Sequence, residues 1–201
     1  MRDSTPPPPD DSRDAALLAA AAAGVEAAFV ELYGRWRDDV YRFAYALTRS
    51  RSCAQDTTQD VFLRVLENAG RFDPAKGSVR AWLVGCARHI VIDRLRRERR
   101  RTGDASDGAA ACDNEQRVLT DQRLARLHAA IARLPLEYRD ALVLCELAEL
   151  TYAEAAAVLD CPLGTVRSRL HRARSLLAAA LRNTETERGG EAALKPTEVC
   201  S

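Results

Sequence analysis

The sequence predicts an all-α protein built as two small helical domains joined by a flexible acidic linker. Three observations predict it. Ala, Leu, Arg and Glu, all good helix formers, recur throughout, and aromatics are only 5% of a chain that is 47% hydrophobic. Apolar residues recur at helical spacing, with only short and scattered β-branched clusters. Ser or Thr followed three residues later by Glu or Gln, a helix-start signature, opens two of the periodic segments.

The elements follow in chain order. Residues 1–24 are read as a disordered N-terminal extension, since the prolines at 6–9 and their acidic neighbours cannot build a packed core. Phe29, Tyr33, Trp36, Val40, Phe43 and Leu47 follow 4-3-4-3-4 spacing, which places them on one helix face. Ser52 with Gln55 fits a capping box that opens a second helix, with Val61, Phe62, Val65 and Leu66 facing inward. Gly70 and the Asp73-Pro74 turn end that helix. A third starts near Ser78, carries Trp82, Leu83, Cys86, Ala87, Ile90, Val91 and Leu95 as its apolar stripe, and runs out into Arg. Residues 25–101 thus form the first domain.

Residues 102–117 lack periodicity and read as the linker. Residues 118–182 form the second domain. Leu124, Leu127, Ile131 and Leu134 share a stripe. Pro135 suits the first turn of the next helix, which carries Tyr138, Ala141, Leu142, Cys145 and Leu147 inward. Thr151 and Glu154 make a capping box for a short helix ending at Leu159. Asp160, Cys161 and Pro162 form a turn, and a last helix spans residues 164–181. Residues 183–201 are polar and read as a flexible tail.

The net charge is only +1, but it is segregated. Residues 88–101 hold seven Arg against Asp93 and Glu98, and residues 102–116 hold four acids and no base. A second Arg cluster spans 167–174. Segregated basic patches in a near-neutral chain point to local contact with a polyanion. The six cysteines show no C-x-x-C spacing, which argues against a zinc or dithiol redox site. Cys86, Cys145 and Cys161 read as small core residues; Cys112 and Cys200 lie in polar segments with no assignable role. No secretory leader is visible, and the Ala-rich stretch 15–23 is too short to span a bilayer. A cytoplasmic protein without membrane insertion is expected.

The sharpest motif is a helix–turn–helix. Small Ala155 and Ala156 allow close helix approach, and Asp160 tolerates the left-handed geometry of a tight turn. The following helix keeps Val166, Leu170, Ala173 and Leu177 inward, leaving Thr165, Arg167, Ser168, Arg169, Arg172 and Arg174 outward. Hydroxyls and guanidiniums in that pattern suit base edges and phosphates in a major groove.

The run from Tyr152 to Arg174, YAEAAAVLDCPLGTVRSRLHRAR, closely resembles region 4 of extracytoplasmic-function (ECF) sigma factors, the winged-helix-like domain that reads the -35 promoter element. The segment AQDTTQDVFL at 54–63 resembles the region 2 helix that docks on the polymerase clamp. GSVRAWL at 77–83 and ARHIVIDRLRR at 87–97 resemble the segments that melt and read the -10 element. The likeness covers residues 25–182, and two motif sets in order with a linker between them are more specific than one helix–turn–helix.

The resemblance implies core RNA polymerase as partner, through the clamp helices of its largest subunit and its flap, together with promoter DNA and an anti-sigma factor. It assigns polymerase docking to Asp56, Gln59, Asp60, Leu63 and Glu67, which share the face opposite the core. It assigns the -10 element to Arg80, Arg88, His89, Arg94, Arg96 and Arg97, and the -35 element to the outward residues of the last helix. Cations would hold phosphates and His89 would stack on an unpaired base; Trp82 falls on the apolar stripe and reads as core. The chain departs from the family pattern at His89, where Asn is usual, at Ala155 and Asp160, where Ile and Gly are common, and at Thr57, usually apolar. A stand-alone helix–turn–helix regulator is the alternative, though no dimerisation helix or ligand domain is visible. No metal spacing, phosphate-cradling loop or nucleophile–base pair supports an enzyme, and neither cofactor nor metal is expected.

Overall fold

The computed structural model describes residues 11–102 and 122–191, all of whose regular structure is helical. Eight α-helices follow in order among the described residues: α1 (Asp11–Ala22), α2 (Glu26–Thr48), α3 (Arg51–Asn68), α4 (Val79–Thr102), α5 (Gln122–Ala132), α6 (Leu136–Leu142), α7 (Tyr152–Leu159) and α8 (Leu163–Glu191). Two 3-10 turns, Ala69–Arg71 and Pro74–Lys76, join α3 to α4, and a π-helical turn, Val143–Leu147, extends α6. With no strand among the described residues, the helix–turn–helix has no wing there. The linker at 102–117 lies outside the described residues apart from Thr102, the last residue of α4.

The first domain is a bundle of α1 to α4. The predicted face of α2 is inward: Trp36, Val40, Phe43 and Leu47 are buried, and Tyr33 meets Phe62 of α3 edge-on at 4.8 Å. Arg49 closes α2 in a left-handed conformation, φ 57°, and its amide bonds the Tyr45 carbonyl. Trp82 is half-buried, edge-on to Phe72, which agrees with a core role.

Four local expectations are corrected. Residues 11–22, read as part of a disordered extension, form α1, which buries Leu18 and Ala21 and brings buried Asp14 to 3.0 Å from Arg35. In so Ala-rich a segment the apolar face has little contrast, so the helix is recognisable only from what it packs against. Ser50, not Ser52, caps α3: its hydroxyl accepts from the Cys53 amide at 3.2 Å, while Ser52 contacts Ser50 instead. Leu66 and Leu147, expected inward, are 47% and 45% exposed. For Leu147 the cause is the π-helical turn, whose extra residue rotates the stripe away from the core. Finally, α8 continues to Glu191, ten residues past the expected end at 181, so residues 183–191 prolong a nucleated helix.

The second domain packs α6 on α8 with a small cluster of Leu134, Leu142, Leu170 and Ala173. Its larger core does not stop at the domain edge. Ala141, Val143, Leu144, Ala148, Leu150, Ala155, Leu159 and Val166 join one apolar cluster with Leu47, Leu83, Val84 and Ala87 of the first domain. The two domains therefore share a core where α4 meets α7 and where α2 meets α5 and the π-helical turn.

Candidate nucleic-acid interface

The five residues of the predicted docking face share one side of α3. Asp56, Gln59, Leu63 and Glu67 are exposed, and Asp60 is half-buried. Leu63 is 57% exposed and gives this polar face a large apolar side chain. The acids are not a free negative stripe. Arg94 of α4 reaches Asp60 at 2.7 Å and Asp56 at 3.5 Å. Burial disfavours the Arg94 charge, but Cys53 and Asp60 more than offset it and hold the guanidinium above its ordinary range. A groove between α3 and α4, lined by Asp60, Leu63, Glu67, Ile90, Arg94 and Arg97, runs from the docking face into the basic helix.

Besides Arg94, the residues predicted for the -10 element divide into two groups. Arg96 and Arg97 are exposed near the end of α4, and His89 is exposed with Asp93 one turn on, at 3.5 Å. Arg80 and Arg88 are engaged. The Arg80 guanidinium donates to Glu149 at 2.9 Å and to Asp39 at 3.0 Å and lies over the Trp36 ring. Burial works against its charge, and the two carboxylates outweigh it, so its pKa is raised. Arg88 donates through Nε and Nη2 to one oxygen of Asp140, at 3.0 and 2.8 Å.

In the second domain the helix–turn–helix has the expected build. Thr151 and Glu154 form the capping box of α7, and Asp160 adopts the left-handed turn at φ 50°. Val166, Leu170 and Ala173 are buried. On the outward side of α8, Arg167 and Arg172 are exposed, with Arg167 over the Tyr152 ring. Arg169 is half-buried near Glu137, and Arg174 pairs with Glu146. Thr165 is half-buried, and the Ser168 hydroxyl donates to its carbonyl at 3.0 Å, leaving the serine oxygen as an acceptor toward solvent.

Residues 32–101 match the family model "Sigma-70 region 2" and residues 124–177 match "Sigma-70, region 4". The ECF RNA polymerase sigma factor SigC of Mycobacterium tuberculosis is 41% identical over 145 residues, covering 71% of this chain and 77% of that protein. The chain belongs to the ECF sigma factor family. It binds core RNA polymerase and promoter DNA as a transcription initiation factor and is not an enzyme. Among solved structures it resembles CnrH in complex with the cytosolic domain of CnrY, with 28% identity, a TM-score of 0.65, and coverage of 85% of this chain and 98% of that one. It shares its fold with RpoE from Bartonella quintana, solved with the anti-sigma factor NepR, with 24% identity, a TM-score of 0.63, and coverage of 77% and 96%. No helix among the described residues is long and apolar enough to cross a membrane.

Sequence reasoning did not find the acids through which region 4 of this sigma factor meets region 2. They are Asp140 against Arg88, Glu149 against Arg80, and Glu154 against Ser78. Arg139 works in the same place: it is buried and donates to the Leu47 carbonyl of region 2 at 2.8 Å, and to the Leu134 and Ala132 carbonyls of its own domain. One signal was available. Arg139 and Asp140 directly precede the apolar run ALVLC at 141–145, and a charged pair carried into a core by such a run requires buried partners.

Proposed function

We propose that α3 carries the polymerase-docking surface through Asp56, Gln59, Asp60, Leu63 and Glu67. The -10 element is read by α4 through Arg80, Arg88, His89, Arg94, Arg96 and Arg97, and the -35 duplex by α8 through Thr165, Arg167, Ser168, Arg169, Arg172 and Arg174. The corresponding units are region 2 at 25–101 and region 4 at 118–182, with the linker at 102–117 between them. The observation that supports this division best is the split of α8. Its apolar side is buried on α6 and α7 while Arg167 and Arg172 stay in solvent, where a duplex can reach them. The protein acts in the cytoplasm, where polymerase and promoter are, and an anti-sigma factor that covers both α3 and α8 restrains it.

Core RNA polymerase pull-down tests the docking surface. The pair Leu63→Ala and Glu67→Ala removes exposed side chains and should weaken core binding by about tenfold, as loss of a central interface residue does. The pair Arg167→Ala and Arg169→Ala should leave core binding intact and weaken promoter binding. Equal loss of both activities in either variant would reject the division of labour.

A further inference from the structure

Region 4 sets one aromatic ring against the outward side of α8, and the inference below rests on the assignment of that side to the -35 duplex. Successive helical residues are about 100° apart, so Arg167 and Arg174 share one edge of that side, and Thr165, Ser168 and Arg172 the other. Tyr152 stands at the first edge. It is the first residue of α7, fixed there by the Thr151–Glu154 capping box, and it is 38% exposed. The Arg167 guanidinium lies over its ring, 6.0 Å from the centroid. Two turns on, Arg174 donates to Glu146 of the π-helical turn. That pair, with a smaller contribution from Tyr152, holds the Arg174 guanidinium above its ordinary range. One tyrosine thus meets both cations of this edge. The contact answers a physical need. An exposed Arg has many rotamers and can reach several phosphates as easily as a base. Base reading needs its fork to lie in the plane of a base edge and donate twice. A ring face beneath the guanidinium restricts that plane and leaves the in-plane N–H groups free for the base.

We propose that Tyr152 is a positioning residue of the -35 reader, whose ring orients Arg167 toward a guanine edge and thereby sets the base preference at one position of the -35 element. Guanine is the base whose two major-groove acceptors match the Arg fork. Tyr152 acts through Arg167 and reads no base itself. Without the ring, Arg167 becomes a mobile cation that binds phosphates of any sequence.

Transcription from random templates tests this. Holoenzyme assembled from core RNA polymerase and the full chain transcribes linear duplexes of random sequence, each with a transcribed barcode. Base enrichment is aligned on the transcript 5′ ends. Arg167→Ala identifies the position that Arg167 reads, as the upstream position whose enrichment it removes, and wild type should prefer guanine there. Tyr152→Leu keeps bulk but no π-face. It should cut the preference at that position at least about threefold and leave the other -35 positions within about twofold of wild type. Tyr152→Phe keeps the ring and should keep the wild-type preference. An unchanged preference in Tyr152→Leu would overturn the proposal, and so would an equal loss at every -35 position, which marks a general structural role. Loss in Tyr152→Phe as large as in Tyr152→Leu would overturn it too, because the hydroxyl and not the ring would then matter. Enrichment of a base other than guanine would reject reading through the fork. Should Tyr152→Leu fail to fold, the Arg167 Nε–H resonance of the wild type decides. It should be displaced by the ring current relative to other exposed arginines, and coincidence with them would reject the contact. An Arg167→Ala profile identical to wild type would instead sink the -35 assignment of Arg167, and the proposal with it. Failure of Tyr152→Leu to act beside an active Arg167→Ala rejects the proposal alone.

Discussion

The carboxylate of Glu154 caps the start of α4 through Ser78, 76 residues earlier in the chain, while it also completes the capping box of its own helix. Its Oε2 accepts from the Thr151 amide and hydroxyl at 2.9 and 2.8 Å, and its Oε1 takes both Ser78 donors. One side chain thus satisfies donors at two helix starts that would otherwise need water. Glu154→Ala should therefore cost about 1–2 kcal/mol, more than loss of one ordinary cap in the middle of its range. Urea denaturation of the two proteins checks this. A cost below a few tenths of a kcal/mol would show that water replaces the carboxylate without penalty.

The pH dependence of that contact has a definite sign. Burial raises the Glu154 pKa, but the hydrogen bonds from Ser78 and Thr151 outweigh it and leave the group below its ordinary value. A folded-state pKa below the unfolded one contributes stability that is present above the ordinary glutamate range, and that is lost as pH falls through the folded value. Energy transfer between dyes on regions 2 and 4 should stay constant through neutral pH and fall only below about pH 4.3. Circular dichroism run in parallel separates domain opening from unfolding. In Glu154→Gln the acid step should shrink.

Asp140 titrates in the opposite sense. Its burial outweighs Arg88 and Arg139 and raises its pKa. Its contribution is therefore fully present at low pH and declines as pH rises from the unfolded to the folded value. Arg88 favours the ionised form of Asp140, which is why Arg88→Ala should destabilise the free protein more at pH 7 than at pH 4. Chemical denaturation at both values tests it. An equal loss at the two would mean that Asp140 does not sense Arg88.

Arg139 supports three backbone carbonyls, those of Leu47, Ala132 and Leu134, from a position only 4% exposed. Arg139→Ala would leave those acceptors buried without their donor, and the cost should be about 3 kcal/mol or more. A drop in the urea midpoint with an unchanged slope would place the loss in the native state.

Thr57 offers the reverse case. It is fully buried in α3, and its hydroxyl has no hydrogen-bond partner. Thr57→Val replaces that hydroxyl with a methyl of similar size and should stabilise the fold by about 1 kcal/mol. A destabilised variant would point to an ordered water on the hydroxyl.

Much of the architecture was readable from local pattern. The α2 stripe, the Thr151–Glu154 capping box and the left-handed Asp160 turn depend on residues within one or two turns, so spacing alone exposes them. The site was readable in part. Outward residues of α8 follow from the inward ones by helix geometry, whereas nothing local announces that Arg80 and Arg88 are engaged by carboxylates elsewhere. Helix α1 escaped notice because an Ala-rich surface has no contrast until a neighbour covers one side of it.

The sequence by itself determined an all-helical chain, two motif sets in a set order, and the family they identify, because helix periodicity, caps and motif spacing are written in neighbouring residues. Only the tertiary structure decided that the two regions share a core, and that Asp140, Glu149 and Glu154 meet Arg88, Arg80 and Ser78. Those partners lie 52, 69 and 76 residues apart. Attraction between charges acts through space, and which of many acids meets which Arg is settled only when packing brings them together.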